Sequence, residues 1–170
     1  SLDLRYPGFT DTLHSDPKTT LNRVDAEDVS LLYWTGAGWL ALISKSKEDM
    51  SALAALPIAS AFVHRGLELD PAWGGGSFHE LSIALEPSSP IPGGRERARE
   101  HFQKAIELNQ GTRASTYVSL ATSVSVMEQN KEEFISLMNQ ALSIDPEAHP
   151  EEMLATIYAQ EQAQYYLDHI

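Results

Sequence analysis

The chain has 170 residues, the size of one ordinary domain, and at this length folding hides roughly 70% of the unfolded surface. It contains no cysteine, which excludes disulfides, iron–sulfur clusters, thiol nucleophiles and thiolate zinc sites. Lys and Arg total 12 against 24 Asp and Glu, and the resulting charge of −12 repels phosphate backbones and anionic lipid, so no nucleic-acid partner is expected.

Residues 1–24 show no hydrophobic periodicity and read as a loose N-terminal arm, with a single all-α domain over 25–170. The chain opens at Ser1 without a methionine, so the lack of a signal peptide carries no weight. Asp25 and Asp28 look like the cap and first-turn acid of a helix running to about Ser44. An amphipathic stretch then leads to Leu67-Glu68-Leu69-Asp70-Pro71, where proline ends the helix because its preceding residue avoids helical geometry. Gly74-Gly75-Gly76-Ser77 has no Gly-Lys-Ser/Thr ending and no preceding strand. It reads as a turn whose glycines admit positive φ.

Residues 73–86 read as the next helix, closed by the loop Pro87–Gly94 with its three prolines and two glycines. Ala98, Phe102, Ala105 and Ile106 then mark one helical face, and Tyr117, Leu120, Ala121 and Val124 mark another within 112–128. Phe134, Leu137, Met138, Ala141 and Leu142 form the next stripe, with Asn130 and Glu133 spaced as a capping box. Pro150 suits a first helical position, and Leu154, Ile157, Tyr158, Glu161 and Tyr165 run on towards the end. No strand pattern of useful length occurs.

Three segments echo one another: Leu67 to Pro71, Ile106 to Gln110, and Leu142 to Pro146, starting 39 and 36 residues apart. Ala98–Gln110 resembles the second-helix half of a tetratricopeptide (TPR) repeat, with Gln110 where proline is usual. Trp34, Ala37, Gly38 and Ala41 match the first-helix spacing. The resemblance implies TPR-like helical hairpin repeats forming a right-handed superhelix, an α-α solenoid with a concave side.

Four ordered motifs carry a closer resemblance over residues 28–168. They are Leu32 to Trp39 (Leu-Tyr-Trp-Thr-Gly-Ala-Gly-Trp), Leu69 to Gly74 with His79-Glu80, Arg97 to Phe102, and the helix stop Leu142 to Pro146. Together they resemble the T-component of tripartite ATP-independent periplasmic (TRAP) transporters, the TatT family. That likeness implies a non-enzymatic periplasmic lipoprotein, a homotrimer with pore-like channels. It implies work beside a periplasmic solute-binding protein and a small hydrophobic organic ligand. The lipid-bearing cysteine of such proteins does not occur in this sequence, so membrane anchoring is implied by the resemblance alone.

The six histidines form no His-x3-His pair and no His-Glu-x-x-His, so no metal site is expected, and no cofactor either. No Gly-x-Ser-x-Gly elbow exists. His79 and Glu80 could form an acid–base pair only if they faced one another, and sequence neighbours on a helix point about 100° apart. Gly36 and Gly38 lie inside the first helix, each costing about 1 kcal/mol against alanine. Either they allow close helix approach, or they leave room for a ligand beside Tyr33, Trp34 and Trp39. Trp73 beside the glycine turn extends the candidate pocket. His79 or Glu80 would supply a polar contact there, unless they are a core histidine and a surface carboxylate. Tyr117 either lines the same concavity or is a core residue needing a partner for its hydroxyl.

Residues 128–170 carry nine acids and only Lys131, whereas 88–113 carry a net +2. Arg95, Arg97 and Arg99 are either a solvated face or a docking patch for an acidic partner. A general TPR adaptor for peptide tails remains the alternative.

Overall fold

A computed structural model describes residues 2–45 and 50–170, and every regular element among them is helical. The chain groups into two compact units, Ser1–Leu81 and Ser82–Ile170.

The first unit opens with three short helices, α1 (Leu2–Arg5), α2 (Phe9–Leu13) and α3 (Pro17–Leu21). Residues 2–24, within the stretch expected as a loose arm, therefore carry helices and core residues. Phe9, Leu13, Leu21 and Val24 are buried, and Phe9 meets Phe62 edge-on with ring centroids 6.3 Å apart. Asp16 caps α3 by accepting the Thr19 N–H at 3.1 Å, and Pro17 follows at the first helical position. Asp25 caps a 3₁₀ turn over Ala26–Asp28 that leads into α4 (Val29–Lys45). Asp28 is an acid of that first turn, and it is buried: only 2% exposed, it accepts from Arg5 at 2.5 Å and from the Tyr6 hydroxyl at 2.8 Å. Those two carboxylate contacts tie the N-terminal helices to the start of α4.

A short α5 (Met50–Leu53) precedes α6 (Leu56–Leu69), which packs along α4 and α3. Gly36 permits that approach, since a Cβ there would lie 3.3 Å from the Phe62 Cβ. Arg65 reaches back from α6 to donate to the Val24 carbonyl at 2.7 Å. The helix stops at Leu69, one residue before the extended Asp70 of the Asp70-Pro71 pair, as the proline rule requires.

The segment α7 (Trp73–Leu85) begins with Gly74, Gly75 and Gly76 all in the left-handed region, at φ 55, 64 and 88. Three successive such residues would cost any L side chain roughly 1–2 kcal/mol apiece, so glycine is required at this turn. Ser77 closes it by donating to the Gly74 carbonyl at 2.7 Å.

In the second unit, α8 (Gly94–Asn109), α9 (Ala114–Leu120), α10 (Lys131–Leu142) and α11 (Met153–Asp168) surround one core. The expected stripes between α8 and α10 point into it, with Ala98, Phe102, Ala105, Leu120, Val124, Phe134, Leu137, Met138 and Ala141 all buried, whereas the run expected in α11 faces outward, with Leu154, Tyr158 and Tyr165 exposed. Gln110, standing where proline is usual in the repeat, ends α8 by adopting φ 54, and the Gly111 N–H returns to the Ile106 carbonyl at 3.2 Å. Beyond α9 the chain widens into one π turn over Ala121–Ser125, in which the Val126 N–H bonds the Ala121 carbonyl.

Asn130 caps α10 by accepting the Glu133 N–H at 3.1 Å. The reciprocal half of a capping box is absent, because the Glu133 carboxylate turns to Arg99 and Ser125. The last helix starts three residues later than Pro150 suggests.

Candidate functional site

Tyr33, Trp34 and Trp73, far apart in sequence, are brought together in the first unit. Tyr33 stands in contact with three rings, with centroids 5.1 Å from Trp34, 4.9 Å from Trp73 and 5.6 Å from Phe78. Trp73 and Phe78 are 5.6 Å apart, which closes a triangle with Tyr33. These tilted and edge-on geometries suit ring quadrupoles. The left-handed glycine turn makes the cluster: it folds the chain sharply between Trp73 and Phe78, so both rings reach Tyr33 of α4.

Phe78 was not among the residues expected at a site, yet it anchors the cluster. It is fully buried, and a Cβ on Gly66 would lie 2.1 Å from its ring. Gly66 is therefore the slot in α6 that admits the Phe78 ring. Trp34 lies at the other extreme, 69% exposed at the edge of the cluster. One turn further along α4, Gly38 has nothing within 4 Å of where its Cβ would be. The two α4 glycines thus divide the two roles: Gly36 serves helix approach, and Gly38 borders open space beside Trp34.

Of the other expected residues, Trp39 and Tyr117 are placed elsewhere, and His79 and Glu80 follow Phe78 along α7. Trp39 packs half-buried against Ile43, Ala55 and Ala59 in a separate small cluster. His79 is buried and Glu80 half-buried, and both are engaged by neighbours. Tyr117 belongs to the second unit, where its ring packs edge-on against Phe102 at 5.8 Å and its hydroxyl donates to the Gly111 carbonyl at 3.5 Å. Burial raises the pKa of that phenol, so it stays a neutral donor.

The three arginines at the start of α8 differ in their surroundings. Arg97 donates to the buried Glu86 carboxylate at 2.6 Å and to the Pro92 carbonyl at 2.7 Å, which pins the preceding loop. Arg99 forks onto Glu133 at 2.6 and 3.0 Å and also holds Glu128 at 2.6 Å. The hydrogen bond to Glu133 raises the Arg99 pKa, and the same contact lowers that of Glu133, with Ser125 assisting. Arg95 is more open, with about half its side chain exposed and Glu128 at 3.9 Å.

Among the described residues no three histidines, aspartates or glutamates gather where they could hold a metal ion. No described helix is long and apolar enough to cross a membrane. A hollow of about 320 Å³ lies in the second unit, beside the π turn, lined by Val126, Gln129, Lys131 and Phe134.

The family model of the TRAP transporter T-component matches residues 1–170, the whole chain. The chain belongs to the TRAP transporter T-component family. That family is an accessory part of a transporter and not a class of enzyme. A relative in Treponema pallidum (strain Nichols), described as an uncharacterized protein, is 25% identical over 176 residues. The match takes in all of this chain and 54% of that protein, so the chain spans about half the length of its relative.

Proposed function

We propose that this T-component is a non-enzymatic periplasmic accessory protein that docks a solute-binding protein and holds a small apolar organic ligand at the Tyr33–Trp34–Trp73 cluster. The observation that carries the ligand reading is the exposure of Trp34. An indole 69% open to water, on a cluster otherwise half-buried or buried, offers a ligand an aromatic wall. Gly38 beside it supplies the space. His79 and Glu80, within two residues of Phe78, are the polar groups proposed to orient such a ligand.

The TPR-like stacking belongs to the same reading and is supported by the second unit. There α11 packs on both α10 and α9, as a helix added to a stack of hairpins would. A homotrimer, with an anchor through a lipidated cysteine in a longer precursor, completes the proposal from the family. For docking, Arg95 is the foremost of the three arginines, because Arg97 and Arg99 are committed to carboxylates of their own unit.

Nile red, a neutral apolar dye, tests the ligand site. Its emission should rise on adding the native chain and should fall back with Trp34→Ala. Equal emission with the native chain and with both Trp34→Ala and Trp73→Ala would overturn the assignment.

A further inference from the structure

The last helix is apolar on two faces. Thr156, Ala159 and Ala163 are buried against the second unit's core, and Gln160 donates to the Ile144 carbonyl at 2.6 Å. The opposite face nonetheless carries Leu154, Tyr158 and Tyr165 at 83%, 62% and 60% exposure. Glu161 and Asp168, also exposed, complete the row. These five positions recur at alternating spacings of four and three, the spacing of a seam that receives a second helix.

We infer that this ridge is a docking surface for a basic amphipathic helix of a partner protein. The charge pattern selects the occupant. Residues 132–170 hold eight acids and no lysine or arginine. Two of those acids sit within the seam itself, so a helix with apolar side chains and lysine or arginine opposite Glu161 and Asp168 is complementary, while an acidic or neutral one is not. Arg113, from another part of the unit, pairs with Glu152, outside the seam. Beside the row, Gln164 donates to Asp168 at 2.8 Å and His169 stacks on Tyr165 at 4.2 Å, contacts that hold those two members of the ridge in order. Exposed tyrosines with two rotatable angles give up little freedom on binding, and such rings are favoured anchors. This surface lies in the second unit and stands or falls independently of the ligand cluster.

The test is fluorescence anisotropy with a labelled helical peptide of three heptads, leucine and lysine along its seam. Controls are a scrambled peptide of the same composition and a version with glutamate for lysine. Tyr158→Ala and Tyr165→Ala should each weaken binding about tenfold. Glu161→Lys should weaken it at least as much and shift preference towards the glutamate peptide. Glu132→Lys, an equal charge change away from α11, should alter binding less than about twofold. Equal binding of the scrambled peptide, or indifference to Tyr158→Ala and Glu161→Lys with helicity intact, would overturn the proposal.

Discussion

Replacing Gly66 by alanine adds one methyl group where the Phe78 ring already sits. The new Cβ would lie 2.1 Å from two ring carbons and 2.6 Å from a third, whereas carbon atoms in contact rest near 3.5–4.0 Å. The ring must move by more than an ångström, and being fully buried it has no open side. Overpacking of this kind costs about 1–3 kcal/mol, and complete expulsion of the ring would approach the roughly 3–5 kcal/mol of a Phe→Ala change. Alanine regains about 1 kcal/mol of helix propensity. The net expectation is a loss of about 2 kcal/mol, or about 4–8 °C in Tm at 2–4 °C per kcal/mol.

Gly38→Ala is the matched control. The same helix-propensity gain applies, and the added methyl meets nothing within 4 Å, so the expectation is a gain of about 1 kcal/mol. Both variants are followed by thermal unfolding with far-ultraviolet circular dichroism. Tryptophan emission is read in parallel, because Trp73 leans on Phe78. A Gly66→Ala protein as stable as the native chain would refute the slot assigned to Phe78.

Trp34→Ala should change stability by less than about 0.5 kcal/mol in urea unfolding, since the side chain is largely solvated, while still abolishing the dye response. Gln110→Gly should stabilise by about 1 kcal/mol in the same assay, because a left-handed φ of 54 is relieved where α8 ends. Asp28→Ala should cost about 2–3 kcal/mol and loosen amide-exchange protection in residues 2–24, because Arg5 and Tyr6 lose their shared acceptor. The lowered pKa of Glu133, held by Arg99, means that its contribution is present at neutral pH and is lost as pH falls through and below the ordinary glutamate range. The Tm difference between native and Glu133→Gln proteins should therefore shrink from pH 7 towards pH 3; a constant difference would contradict the ion pair.

Helices with long apolar stripes were legible in the sequence. Ala98, Phe102 and Ala105, or Phe134, Leu137 and Ala141, repeat at helical spacing for about two turns and point inward as expected. The N-terminal 24 residues were not legible, because helices of four and five residues are too short to display a period. Their buried Phe9 and Leu21 become core only through tertiary contact. The aromatic cluster was half legible. Tyr33, Trp34 and Trp73 stand out in the sequence as rings close to glycines, but Phe78 depends on a slot at Gly66, 12 residues earlier, that no local pattern announces. Arg97 and Arg99 read as a basic face because their acceptors lie 11 and 34 residues away.

Native mass spectrometry of the chain mixed at micromolar concentration with the proposed partner, a TRAP solute-binding protein, addresses the central claim most directly. The account predicts a complex of the two proteins, together with a small apolar adduct that Trp34→Ala no longer retains. Both proteins flying separately and without adduct would contradict it.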